Sequence, residues 1–228
     1  MENNSQLQMV GAIIVAGALI AGAILLKGNQ APRVITSSDK NSEENAQIRP
    51  ISKDEHIWGN PNAKIMVVEY SDTECPYCKM FHPTMHKVVE KNSSEVAWVY
   101  RHYPIPQLHP KAPHEAEATE CAWEQGGNNA FWKYTDRIFE VTPSNNNLDV
   151  AELPKIAAYI GLDVLSFNTC LESGKYKGKV QRDIDDGTKA KVNGTPKSFI
   201  VKNGKVADEI NGAQPLEIVV QQIKNALK

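Results

Sequence analysis

The sequence is most informative where it is sparse. Its 228 residues carry 25 Lys and Arg against 27 Asp and Glu, dispersed along the chain. With a net charge of −2 and no basic block, it lacks the electrostatic footprint of a nucleic-acid binder, so no nucleic-acid partner is expected. No repeat and no long low-complexity tract is present, which excludes solenoid architectures. Cysteine is scarce. Only four occur, and just one pair, Cys75 and Cys78, has C-x-x-C spacing. Cys121 and Cys170 stand far apart, so two short-spaced pairs, as a structural zinc site commonly uses, cannot be assembled. His82 and His86 follow Cys78 and could complete a Cys/His cluster, but His86 is expected to face solvent, and no metal is expected. No Lys or Arg precedes residue 27, so the basic n-region of a cleaved signal peptide is missing too.

What is present begins with Met9–Leu26, an apolar run of 18 residues. At 1.5 Å per residue it spans roughly 27 Å as a helix, close to the hydrocarbon thickness. An uncleaved transmembrane anchor over residues 9–27 is expected after a short tail, residues 1–8. Residues 28–55 are rich in Ser, Asn, Glu, Lys and Gln without apolar periodicity, and read as a flexible linker. Lys27 and Arg33 flank the run on its C-terminal side, a faint bias toward a cytoplasmic body. A redox dithiol with two further cysteines suits an oxidising compartment instead, and an extracytoplasmic body on a single-pass cell-membrane anchor is the expectation.

The folded body, residues 56–228, opens with an apolar strand at 65–71. Cys75-Pro76-Tyr77-Cys78 follows at once, then a helical pattern to about residue 91, carried by Phe81, Met85, Val88 and Val89. Two thiols in the first turn of a helix are close enough to close a disulfide ring, and the leading one faces unpaired N–H groups that favour its thiolate. C-x-x-C at a strand-to-helix junction reads as a thioredoxin-like redox motif. A second strand at 96–103 completes a β-α-β unit. Residues 196–201 and 206–210, joined by a turn, read as a hairpin, and Pro215 opens a helix to Leu227. A β-α-β half and a β-β-α half around one sheet define an α/β, thioredoxin-like fold. Between them, residues 106–179 carry helical patterns at 114–125, 130–141, 150–160 and 164–171, too long a stretch for a loop and expected to be an inserted helical subdomain. A further helix is expected over 180–192.

On chemistry alone, Cys75 is the attacking thiol and Cys78 the resolving one. Glu69, on an apolar strand, reads either as a paired surface carboxylate or as a proton acceptor of raised pKa. His82, one face along from Cys75, could stabilise the thiolate when protonated, or lie at the surface. Cys121 and Cys170 admit three readings: a structural disulfide, two buried free thiols, or an accessory redox pair. The run Pro104–Pro110 is expected to loop beside the redox pair.

Three separated stretches carry a resemblance. VVEYSDTECPYCKMFHP at 67–83, VNGTPKSFI at 192–200 and EATECAWEQG at 117–126, before Phe131-Trp132, resemble DsbA-type thiol–disulfide oxidoreductases over the whole body. The resemblance implies a disulfide-introducing activity that needs no dissociable cofactor. It implies a cis Thr195–Pro196 peptide packed on the disulfide, with Pro76, Tyr77, Thr195 and Pro196 meeting the substrate and Glu69 serving Cys78. Reduced exported polypeptides would be the substrates. A membrane quinone-linked reoxidant, DsbB-like or of the vitamin K epoxide reductase type, would recharge the pair. A tethered reductase or isomerase, and a non-catalytic chaperone-like module, are the competing functions.

Overall fold

The computed structural model describes residues 47–228; the tail, the anchor and residues 28–46 of the linker lie outside the described residues. Among the described residues no helix is long and apolar enough to cross a membrane.

Five strands form one sheet in the order β1-β3-β2-β4-β5. They are β1 (His56–Gly59), β2 (Ile65–Ser71), β3 (Val96–His102), β4 (Lys197–Lys202) and β5 (Lys205–Asn211). β2 and β3 run parallel, joined by helix α1 (Pro76–Lys91), and the remaining pairings are antiparallel. All seven residues of β2 and of β3 are buried, as expected of mainly apolar strands covered on both faces, and the polar Glu69, Ser71, Arg101 and His102 are buried with them. The period of two divides them cleanly. Ile65, Val67, Trp98 and Tyr100 pack beneath α1 and the C-terminal helix α6 (Leu216–Leu227), with Phe81, Met85, Val88, Val219 and Ile223. Met66, Val68, Tyr70, Ala97 and Val99 face the opposite layer. By this alternation Glu69 falls on the α1 side, under the redox helix.

The insertion is helical, as expected. Its first two expected helices are the two halves of α2 (Ala112–Val141), separated as expected at Gly126-Gly127, whose backbone is non-helical; Gly127 takes φ +61, a conformation that glycine adopts without a Cβ penalty. It continues through α3 (Glu152–Tyr159) and α4 (Val164–Ser173). These helices share a core of Tyr134, Ile138, Leu148, Leu153, Phe167 and Leu171, into which the Cys121–Cys170 disulfide is set. Of the three readings of these cysteines, the structural bond is the one found. Helix α5 (Lys177–Lys189) returns the chain to the sheet, beginning inside the expected insertion. Gly187 lets it lie close: a Cβ there would meet the rings of Tyr70 and Tyr103 at 2.7–2.8 Å.

Two expectations need correction. The linker does not reach residue 55. Ile48 and Ile51 pack on the sheet, and Arg49 pairs with Glu55 (3.0 Å) and Asp183 (2.8 Å). Its backbone N–H donates to Asp186 Oδ1, and its carbonyl accepts from Arg101, a fully buried cation held by Glu55 and Asp186 at 2.8 and 2.7 Å. Residues 47–55 are thus held by the ion pairs of Arg49 as well as by the packing of Ile48 and Ile51. The body also begins with a strand, β1, whose four residues are too short to carry a periodicity of their own.

Candidate redox site

Cys75 is the N-cap of α1, extended in backbone, with Pro76 in the first helical turn; its carbonyl accepts the Lys79 N–H at 3.0 Å. Cys75 is 6% exposed, whereas Cys78 one turn later is fully buried. The Thr195–Pro196 peptide is cis, and Cys75 Sγ donates to the Thr195 carbonyl at 3.3 Å. Residues 120 positions apart are therefore assembled as the sequence implied. Tyr77 and Met80 stand 60% and 63% exposed on the same turn of α1, an apolar rim that local sequence did not single out beyond Tyr77.

The two thiols are driven apart in acidity. The Cys75 pKa is lowered from 9.0 to about 6, first because the Cys78 thiol donates to it; Thr195 and the backbone N–H groups of Cys78 and Tyr77 add to this, against the opposing effect of burial. Cys78 is pushed well above 9.0 by burial and then by the Cys75 charge. Such a split is what an exchange reaction needs: one thiol that ionises readily, and one kept protonated until it is called on.

Beneath Cys78 lies Glu69, in register with Tyr100 on β3 and Ser198 on β4. Burial lifts its carboxyl to about 8, only partly offset by Ser71 and Trp98. Neither Glu69 oxygen finds a hydrogen-bond partner in the protein, and the hydroxyls of Ser71, Tyr100 and Ser198 are likewise unpartnered. The Glu69 charge is also among the lesser causes that raise the pKa of Cys78. Of the two readings of Glu69, the buried group of raised pKa is the one present.

His82 departs from expectation. Its Nε2 is 2.7 Å from Asp136 Oδ1 on α2, its ring lies tilted against Phe139 at 4.5 Å, and burial lowers its pKa, so it is committed to the α1–α2 interface rather than to Cys75. Nor does His86 face open solvent. It is largely buried, edge-on to Trp58 and Trp98, and shares Asp136. Neither histidine joins the cysteines.

A second layer escaped the sequence reading. Asp72 N–H donates to Cys78 Sγ at 3.5 Å, while Asp72 Oδ2 accepts from Ile105 N and His109 Nδ1 at 2.8 and 2.9 Å. This pins the Pro104–Pro110 loop beside the thiols, where it was expected. Glu74, just before Cys75, accepts from Leu148 N (2.8 Å) and Asn147 N (3.2 Å), and Thr73 donates to Glu115 on α2 at 2.6 Å. Burial and the neighbouring Glu74 raise Glu115 to about 8. The three residues before Cys75 thus fasten the redox turn to the insertion. Their only sequence signal is the unusual acidity of a segment that follows a buried strand.

Residues 52–223 match the family described as Thioredoxin, and the chain belongs to it. Its structural neighbours are of DsbA type. DsbA2 of Pseudomonas aeruginosa is 26% identical with a TM-score of 0.65, over 77% of this chain and 96% of that one. Oxidised BdbD of Bacillus subtilis is similar in fold at a TM-score of 0.68 and 22% identity, over 80% and 98%. Among curated relatives, the Na(+)/H(+) antiporter NhaA 3 of Salinispora tropica is 35% identical over 68% of this chain, which spans only 23% of that protein's length. The fold and neighbours together support an oxidoreductase.

Proposed function

We propose that this protein is an extracytoplasmic thiol–disulfide oxidase that introduces disulfides into exported polypeptides. The observation that carries the reading is the acidity split at the redox pair, Cys75 at about 6 and Cys78 well above its ordinary value. A stabilised Cys75 thiolate favours the reduced enzyme and makes its disulfide a strong oxidant.

In the forward reaction a substrate thiolate attacks Cys75 Sγ of the Cys75–Cys78 disulfide, and the electron pair of the broken bond leaves on Cys78. Glu69, protonated at neutral pH, supplies the proton that Cys78 needs. The substrate's second thiolate then attacks its own sulfur in the mixed disulfide, releasing Cys75 as thiolate. The substrate loses two electrons and the enzyme gains them. The Thr195 carbonyl and the exposed Tyr77 and Met80 offer an extended polypeptide backbone and apolar contacts beside the attacked sulfur. Residues 9–27 would anchor the chain in the membrane. There a quinone-linked oxidoreductase, DsbB-like or of the vitamin K epoxide reductase type, would restore the disulfide.

Oxidative refolding of a reduced, two-disulfide substrate tests this. The oxidised protein should speed disulfide formation, and Cys75→Ser should abolish the effect. Equal activity of the variant would leave only a chaperone-like role. Preferential reduction of insulin would reverse the direction of electron flow.

A further inference from the structure

Away from the thiols, His82 and His86 occupy positions i and i+4 of α1 and turn their imidazoles to one point. Asp136, from the second half of α2, meets them there. His82 Nε2 lies 2.7 Å and His86 Nε2 2.9 Å from Asp136 Oδ1, and the two nitrogens are 3.3 Å apart. From these distances we propose that His82, His86 and Asp136 form a binding site for a divalent transition metal of the zinc class, clipping the redox helix to the insertion.

The geometry fits the ion. With bonds of 2.0–2.1 Å, two donors of a tetrahedral zinc site stand about 3.3 Å apart. The His82–His86 edge already has that length. The two edges to Asp136 are about half an ångström shorter, the length of hydrogen bonds, and Asp136 is the ligand free to move, its side chain being 42% exposed while that of His82 is 6% exposed. Two imidazoles and one carboxylate on a fixed framework, with a fourth position open on the Asp136 side, is a three-ligand set that zinc accepts. It suits nickel, cobalt and copper as well, and disfavours calcium and magnesium, which want oxygen.

The surroundings support a ligand role. Trp58, Trp98, Trp132 and Phe139 pack against the two rings and hold them in place. Each Nε2 donates to Asp136 Oδ1 in the metal-free protein, so uptake of the ion displaces a proton from each contact, and that of His82 moves to Nδ1, which has no partner in the protein. A second trio, His56, His102 and Glu120, also converges, but Lys179 Nζ sits 3.2 Å from the shared Glu120 oxygen and already supplies a positive charge in a fully buried cluster. It has no room for an ion's charge.

Binding is read on the untagged full chain with Cys75 and Cys78 oxidised, so that free thiols contribute nothing. Calorimetric titration of the chelator-treated protein with zinc chloride should show one equivalent taken up. Asp136→Asn and His86→Gln should each weaken it by tenfold or more, with far-ultraviolet circular dichroism unchanged. Cobalt should give the visible ligand-field bands of a four-coordinate site, lost in Asp136→Asn. Zinc should raise the thermal midpoint of the parent chain and not that of Asp136→Asn. No uptake by the parent, or uptake undiminished in Asp136→Asn, overturns the proposal. Neither outcome bears on the redox chemistry of Cys75.

Discussion

Cys75 Sγ lies 3.3 Å from the carbonyl oxygen of Thr195, a residue 120 positions further along the chain. One side of the reactive sulfur is therefore a cis-proline loop of the sheet, and the other is the start of a helix. The protonated thiol donates to that carbonyl, whereas the thiolate accepts, chiefly from the Cys78 thiol and also from the first N–H groups of α1. Acidity at Cys75 is thus a property of the pair and the helix together.

Cys78 is the largest contributor to that acidity, so Cys78→Ala should raise the Cys75 pKa from about 6 toward its ordinary value of 9.0. Alkylation of the reduced protein with iodoacetamide as a function of pH reads it directly. The parent rate should rise through pH 6 and level off above about pH 7, whereas the variant's should still be climbing at pH 8. A profile unmoved by the substitution would mean that the helix alone sets the acidity.

The same shift links to stability with a definite sign. A thiol whose pKa falls on folding stabilises the reduced protein fully above its unfolded value of 9.0, and this is lost as pH falls through about 6. The reduced parent should accordingly gain thermal stability relative to Cys75→Ser between pH 6 and 9. A constant difference across that window would deny the ionisation.

Glu69 behaves in the opposite sense. Its carboxyl is held neutral up to about pH 8, so its contribution is complete below pH 4.5 and is lost as pH rises through 8. Glu69→Gln should remove this pH dependence from the melting curve and make the fold more stable in alkali. It should also slow opening of the Cys75–Cys78 disulfide by a substrate thiolate by on the order of tenfold or more, because the departing Cys78 sulfur loses its proton donor. The Cys75 alkylation profile should move only slightly, since the Cys75 charge is the smallest of the causes acting on Glu69. Stopped-flow kinetics with a reduced peptide separates the two effects.

Arg101 is a cation with no exposed surface, balanced by Glu55 and Asp186. Arg101→Ala should cost about 3–5 kcal/mol by leaving those carboxylates buried and uncompensated. It should also release residues 47–55, which Arg101 holds through the Arg49 carbonyl at 3.1 Å. Urea denaturation and limited proteolysis near Lys53 check the two parts.

The Cys121–Cys170 bond closes a loop of 49 residues, which on chain entropy contributes about 4 kcal/mol. The double Ala variant should lower the denaturation midpoint accordingly, yet leave the Cys75 pKa in place. A large change in that pKa would mean that the insertion tunes the redox turn through Glu74 and Glu115.

The redox centre was legible because its signals are local. A buried strand, a C-x-x-C and a helix pattern lie within 30 residues, and a proline opens a strand at 196. Glu69 could be flagged because a carboxyl among Val67 and Val68 is anomalous, though only burial decided between its readings. Asp72, Glu74 and Glu115 were not legible: each takes its meaning from partners 33 to 74 positions away, and an acid in a turn looks like a solvated one. His82 misled for the same reason, since helical spacing aims it at Cys75 and only the fold brings Asp136 to it. Residues 47–55 looked like linker because ion pairs leave no apolar pattern to read.

The most direct test of the account is the equilibrium of the Cys75–Cys78 pair against glutathione redox buffers. An oxidase of this construction should have a potential less negative than about −200 mV, toward the oxidising end of the thioredoxin-fold range. A value at or below about −270 mV, that of thioredoxin itself, would contradict it and make the protein a reductase.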